Sequence, residues 1–219
     1  QMQNPDVGYI TYYMLYVLGR EMPNTLRRLV EGDWLERVKE VVWRREGQRM
    51  HHIAVLLMCE LCCIQELSIA DLQQIDEPFL DFICDLIERT RTGEEKHNYA
   101  LIRLLLSANA QFTLKNKART VIPNSVMSTV RRRLDRSITL SENIVFMLNR
   151  AHPGTDRELV LLLLGFVARV HAEEDTAGLF YTNDVVVVVD VVLREVRSAE
   201  AADLEVCTWV GREGGGGGG

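Results

Sequence analysis

Apolar residues recur along this chain at helical intervals. Phe79, Phe82, Ile83, Leu86 and Ile87 fall at i, i+3, i+4, i+7 and i+8, while Asp81, Asp85 and Glu88 take the opposite face. Asp76 before them and Pro78 just inside supply an N-cap and an early proline. Leu35, Val38 and Val42 make a second stripe that stops at Gly47. The segments Ile53 to Leu67 and Leu101 to Leu106 are apolar nearly all round, which predicts covered, central helices. Thr139-Leu140-Ser141-Glu142 and Thr155-Asp156-Arg157-Glu158 read as capping boxes that open helices through Leu148 and Val170. Thr182-Asn183-Asp184 starts another, running to about Arg197. The run Val185 to Val189 favours strand on propensity, but no second strand is available to pair with it. It is therefore expected to be helix. The pattern predicts about ten helices of about 10–18 residues joined by short loops, the unit size of armadillo-type stacks. The expected fold is all-α, an armadillo-like helical repeat stack (α-solenoid), although no tight sequence repeat is visible. Residues 1–210 are expected to form a single domain, with the Gly-rich stretch 211–219 outside it.

Composition narrows the function classes. The chain has 219 residues and a formal charge of −6, so wholesale nucleic-acid binding is not expected. Its most apolar stretch, Leu159 to Ala168, is about half the roughly 20 residues that a membrane span needs. Gln1 to Gly8 lacks the basic-then-apolar pattern of a secretory leader, and a cytoplasmic location is expected. Five cysteines (Cys59, Cys62, Cys63, Cys84, Cys207) at irregular spacing point to reduced, mostly buried thiols.

Candidate chemistry is sparse. His51 and His52 precede Cys59, Cys62 and Cys63 on one predicted helix, and the three cysteines share a face. Two adjacent histidines on a helix cannot aim both rings at one metal, and small thiols in an apolar helix are ordinary core residues, so no metal is expected. No phosphate-binding glycine loop and no nucleophile elbow occurs. The chain is read as a non-enzyme with no catalytic residues and no cofactor. Tyr9, Tyr12, Tyr13 and Tyr16 form an aromatic stripe that suits packing of an end helix, or a partner-binding face. Lys115, Lys117, Arg119, Arg131, Arg132, Arg133 and Arg136 form a basic cluster opposed only by Asp135. It reads either as a solvated face or as a docking site for an acidic surface. Lys115, Lys117, Arg131, Arg132, Arg133 and Arg136 are the candidate partner-binding residues, with Arg132 and Arg136, four apart, expected on one exposed face.

Two blocks carry more than periodicity. Glu142, Asn143, Val145, Phe146, Leu148, Asn149 and Arg150 match an "ENxVFxLNR" block. Phe180, Tyr181, Thr182, Asn183, Asp184, Asp190, Arg194 and Glu195 match a "FYTND…VLxDxxxRE" block. The segment Leu101 to Phe112 is similar to "LIxxLLALNEQF". In this order the blocks resemble the WISH/DIP/SPIN family, over about half of the chain. Ala108 and Ala110 depart from the family pattern, as does the valine run, and no SH3 domain or proline-rich segment is present. The resemblance implies an armadillo-like fold and binding to the actin-related protein 2/3 complex, with actin filaments reached indirectly. It implies activation of that complex without a pre-existing filament, which yields linear seed filaments at cortical, endocytic actin patches. The alternative is a generic armadillo-type scaffold with an unrelated partner. Within the blocks, Thr182 and Asn183 are expected to cap a helix, and Phe180 and Tyr181 to pack.

Overall fold

The computed structural model describes residues 5–29, 33–44, 47–90, 94–117, 122–152, 155–181, 184–194 and 197. Among the described residues there is no strand. The helices are α1 (Pro5–Glu21), α2 (Pro23–Leu29), α3 (Trp34–Arg44), α4 (Gln48–Ile64), α5 (Ile69–Gln74), α6 (Glu77–Arg89), α7 (Glu95–Lys117), α8 (Ser125–Arg132), α9 (Ile138–Arg150), α10 (Arg157–His171) and α11 (184–194). None is long and apolar enough to cross a membrane.

A short–medium–long triplet recurs three times. The short members α2, α5 and α8 have 7, 6 and 8 residues. The medium ones, α3, α6 and α9, have 11, 13 and 13, and the long ones, α4, α7 and α10, have 17, 23 and 15. The long helices lie side by side, with α7 packed between α4 and α10, and α1 packed on α4. Stacking in this manner lets each rung bury its apolar stripe against the next, so one continuous core forms from Leu26 to Val191.

The local readings mostly hold. Asp76 caps α6, its carboxylate accepting from the Phe79 amide at 3.2 Å. Leu35, Val38 and Val42 are buried, and α4 is buried on nearly all sides. The valines at 185–189 are helical, because the inward positions Val188 and Val191 sit on the core. Tyr12 and Tyr16 pack against the core, while Tyr13 stacks on Tyr9 and faces outward.

Other readings are corrected. Neither threonine capping box forms. α9 begins one residue before Thr139, and the amides of Thr139 and Leu140 donate to the Glu88 carboxylate of α6, at 3.0 and 3.1 Å. At α10 the N-cap is Asp156, whose carboxylate accepts from the His152 amide and the Thr155 hydroxyl. Tyr181 is 61% exposed rather than packed, whereas Phe180 is buried. Three helices are shorter than the expected range and α7 is longer. The proposed cap at Thr182 and Asn183, the approach to Arg197 through 195–196, and the stretch 211–219 lie outside the described residues.

Polar residues of α7 fasten the neighbouring helix ends. The Asn98 amide donates to Ile87 O at 2.7 Å and to Thr90 Oγ1, at the end of α6, and its oxygen accepts from Asn143 of α9 at 2.8 Å. Gln111 donates to Cys62 O and Gln65 O and accepts from the Leu67 amide, closing the end of α4. Asn109 accepts from Asn124, which caps α8 through the amides of Val126 and Met127. Buried polar groups satisfied in this way fix one register of the stack.

Candidate interaction surface

The long helices leave a cleft of about 330 Å³ where α7, α9 and the start of α10 meet. The inward stripe of α9 is Leu140, Ile144, Val145, Met147 and Leu148. Phe146 falls off that stripe, so its ring is turned to the cleft and is 41% exposed. Tyr99 of α7 faces it at 6.3 Å between centroids, and the Arg150 guanidinium stands 4.8 Å over its ring. Phe146 and Arg150 are one helical turn apart, which is why they meet. The Tyr99 hydroxyl donates to Glu95 at 2.8 Å; burial and that carboxylate push the phenol up to about 12. At the floor, Arg103 lies 3.4 Å from Glu60 of α4 and 3.2 Å from Glu158 of α10. Burial pushes the Glu60 carboxyl up, and Arg103 pulls it back.

A second hollow of about 550 Å³ lies between α7 and α10 and carries exposed Leu114 and Leu161. Cys62 and Cys63 line it. The Cys63 sulfur lies 3.3 Å from the Ser107 hydroxyl, and burial pushes its thiol up to about 12. Cys84 is raised equally by burial in the α6 core. Thiols so raised are poor nucleophiles and poor metal ligands. Among the described residues no three or more His, Cys, Asp or Glu side chains converge to hold a metal. The surface offers shape, aromatic area and fixed charge.

The predicted basic segment is held differently. Arg131, Arg132 and Arg133 come together at the end of α8 and meet acids of their own chain. Arg131 pairs with Glu173 at 2.7 Å and Asp175 at 3.5 Å. Arg132 pairs with Glu77 and Asp81, at 3.2 and 3.0 Å. Arg133, 13% exposed, bridges Asp81 at 3.4 Å and Asp85 at 2.5 Å. Lys115 pairs with Glu66 beyond the end of α4, at 2.6 Å. Arg136 is exposed on the short turn Leu134–Arg136. The Lys117 side chain and Arg119 lie outside the described residues. Sequence reasoning missed Tyr99, Phe146 and Arg150 as a group. The available signal was Phe146 itself, a large apolar residue off the buried stripe of its helix.

Comparison with known proteins agrees with these blocks. The SPIN90/Ldb17 leucine-rich domain matches residues 94–208, just over half of the chain. Protein dip1 of Schizosaccharomyces pombe is 34% identical over 158 residues, covering 69% of this chain and 41% of that protein. Protein LDB17 of Eremothecium gossypii is 24% identical over 153 residues (69% and 32%), and Protein LDB17 of Saccharomyces cerevisiae 25% over 152 (68% and 30%). The chain thus spans less than half the length of these curated relatives. The matched region holds α7, α9, α10 and the cleft between them, and on that match this chain belongs to the SPIN90/Ldb17 family.

Proposed function

We propose that this chain binds the actin-related protein 2/3 complex and activates it without a pre-existing filament, seeding linear actin filaments at cortical, endocytic patches. The family is linked to actin regulation, and the region matched to it holds the cleft. The observation that carries the reading is Phe146. It belongs to the block shared with the family, yet contributes little to the core, and stands exposed between Tyr99 and Arg150. A large apolar ring with a cation above it suits a partner surface with apolar and acidic side chains.

Activation needs no bond chemistry. A rigid stack that fits the active arrangement of its partner better than the inactive one shifts the population by that difference in affinity. Arg131, Arg132, Arg133, Arg136, Lys115 and Lys117 form the second part of the reading, as a charged rim that steers an acidic surface during encounter. An acidic partner there competes with Glu77, Asp81 and Glu173, so the rim affects the association rate more than the final affinity. We read residues 1–210 as one domain with no catalytic role and no cofactor.

The test is pyrene-actin assembly with the purified nucleation complex, ATP-actin and this protein, with no filaments added. The lag shortens and the products, seen by single-filament microscopy, are unbranched. An unchanged lag at saturating protein, with helicity intact by circular dichroism, overturns the reading, and failure to retain the complex in a pull-down leaves a scaffold for another partner.

A further inference from the structure

Three histidines outside the cleft touch one another. His51 and His52 stand in the first turns of α4, and His97 in the first turn of α7. His51 Nδ1 lies 3.2 Å from His97 Nε2, and His52 Nδ1 lies 3.0 Å from His97 Nδ1. The middle ring therefore uses both nitrogens. The rings meet edge to face, with centroids 5.0 and 5.2 Å apart. His51 is buried and the other two are half-buried. The row joins the starting turns of two adjacent long helices.

Contacts of this length between ring nitrogens are hydrogen bonds, and each holds one proton. Three neutral rings carry three ring protons. Two fill the bridges and the third sits on an outer nitrogen, His51 Nε2 or His52 Nε2. One added proton takes the other outer nitrogen and leaves both bridges intact. A second added proton finds no outer nitrogen vacant. It must enter a bridge, where N–H then faces N–H, and that contact opens.

Burial opposes an added proton at His52. The N-terminal ends of α4 and α7 place partial positive charge beside the rings. Arg49 and Lys96 line the same hollow, as do Glu94 and Glu95, and Glu94 accepts from Gln48 Nε2 at 2.6 Å. From the helices packed around, α1 carries Asp6 in its first turn, α3 ends in the pair Glu40–Arg44, and Arg150 of α9 and Asp156 before α10 line the cleft with Lys96. Burial lowers the His52 imidazole, and Glu94 partly offsets this.

We propose that the row His51–His97–His52 is a proton-counting latch between α4 and α7, which accepts one proton and releases the first turns of both helices on the second. This inference stands apart from the actin reading. The sign follows from which state binds more protons. The unfolded histidines titrate near their ordinary value, whereas the folded row takes its second proton only by opening a bridge, so the unfolded state holds more protons below that value. Stability is full above about pH 6.5 and declines as pH falls through that value.

The test is amide hydrogen exchange on the whole chain at about pH 7 and about pH 5.5, corrected for the intrinsic pH dependence of exchange. Protection at residues 52–56 and 98–102 should drop several-fold, while residues 144–148 of α9 hold theirs. In His97→Gln, where a neutral amide replaces the middle ring, the pH-dependent drop should vanish. If that variant does not fold, His52→Gln removes one bridge at a half-exposed position and should reduce the drop. Unchanged protection in the unmodified protein, or the same drop in the substituted protein, overturns the latch.

Discussion

Two arginine-bearing regions of this molecule behave in opposite ways. At the end of α8, three consecutive arginines face five carboxylates of the same chain, on α6 and just after α10. On α9, Arg150 lies over an exposed aromatic ring at the mouth of a cleft. The first region is conspicuous in the sequence and mostly matched within the fold. The second is a single cation in an ordinary-looking helix. Charge density along a chain says how much electrostatic interaction there is; only the fold says whether its partner is internal. Exposed ion pairs add little stability each, but removing a half-buried, two-partner arginine costs more, because its carboxylates lose a partner held close.

That contrast can be broken or sharpened by substitution. Arg133→Ala should have the largest effect, about 2–3 kcal/mol of destabilisation, because it leaves Asp81 and Asp85 without their least exposed partner. Urea denaturation would read it, and a loss below about 0.5 kcal/mol would make the seam an ordinary surface. Phe146→Ala should do the reverse: stability changes little, and binding to the nucleation complex weakens by about 2 kcal/mol, roughly 30-fold. Equal binding by both proteins in a titration would remove the cleft from the contact. Glu88→Gln should cost about 1 kcal/mol, since a charged acceptor of two helix-start amides becomes a neutral one. A melting curve that superimposes on the parent protein's would show that water replaces it. The smallest effect is expected for Arg132→Glu with Arg136→Glu. Association with the complex should slow several-fold at low salt and converge with the parent as salt rises. A salt-independent parent rate would leave these side chains outside the encounter.

The fold class was legible because helices announce themselves through a 3.6-residue period, as Phe79 to Ile87 does. The repeat was not. Its short members, α2, α5 and α8, have fewer than nine residues and too little sequence to show a period. Without them the triplets dissolve into helices of uneven length. The threonine caps misled for a related reason. A capping box is a local pattern, and at α9 a carboxylate from another helix takes the Thr139 amide that the box would use. The family blocks pointed to the right region, but not to which of their residues face outward. Asn143 turns inward to Asn98, while Phe146, three positions later, turns out. That distinction depends on where α7 lies, and no single-segment pattern contains it.

The Glu88 contact has a consequence for how the chain is made. The donor at Thr139 and its acceptor are 51 residues apart, and the earlier residue belongs to the preceding rung. A ribosome therefore delivers the acceptor first. When residues 138–140 emerge, α6 can already present a carboxylate to receive them, and the costly nucleus of α9 forms on a template instead of in free solution. At this junction the N-terminal rung is the template on which the next one starts.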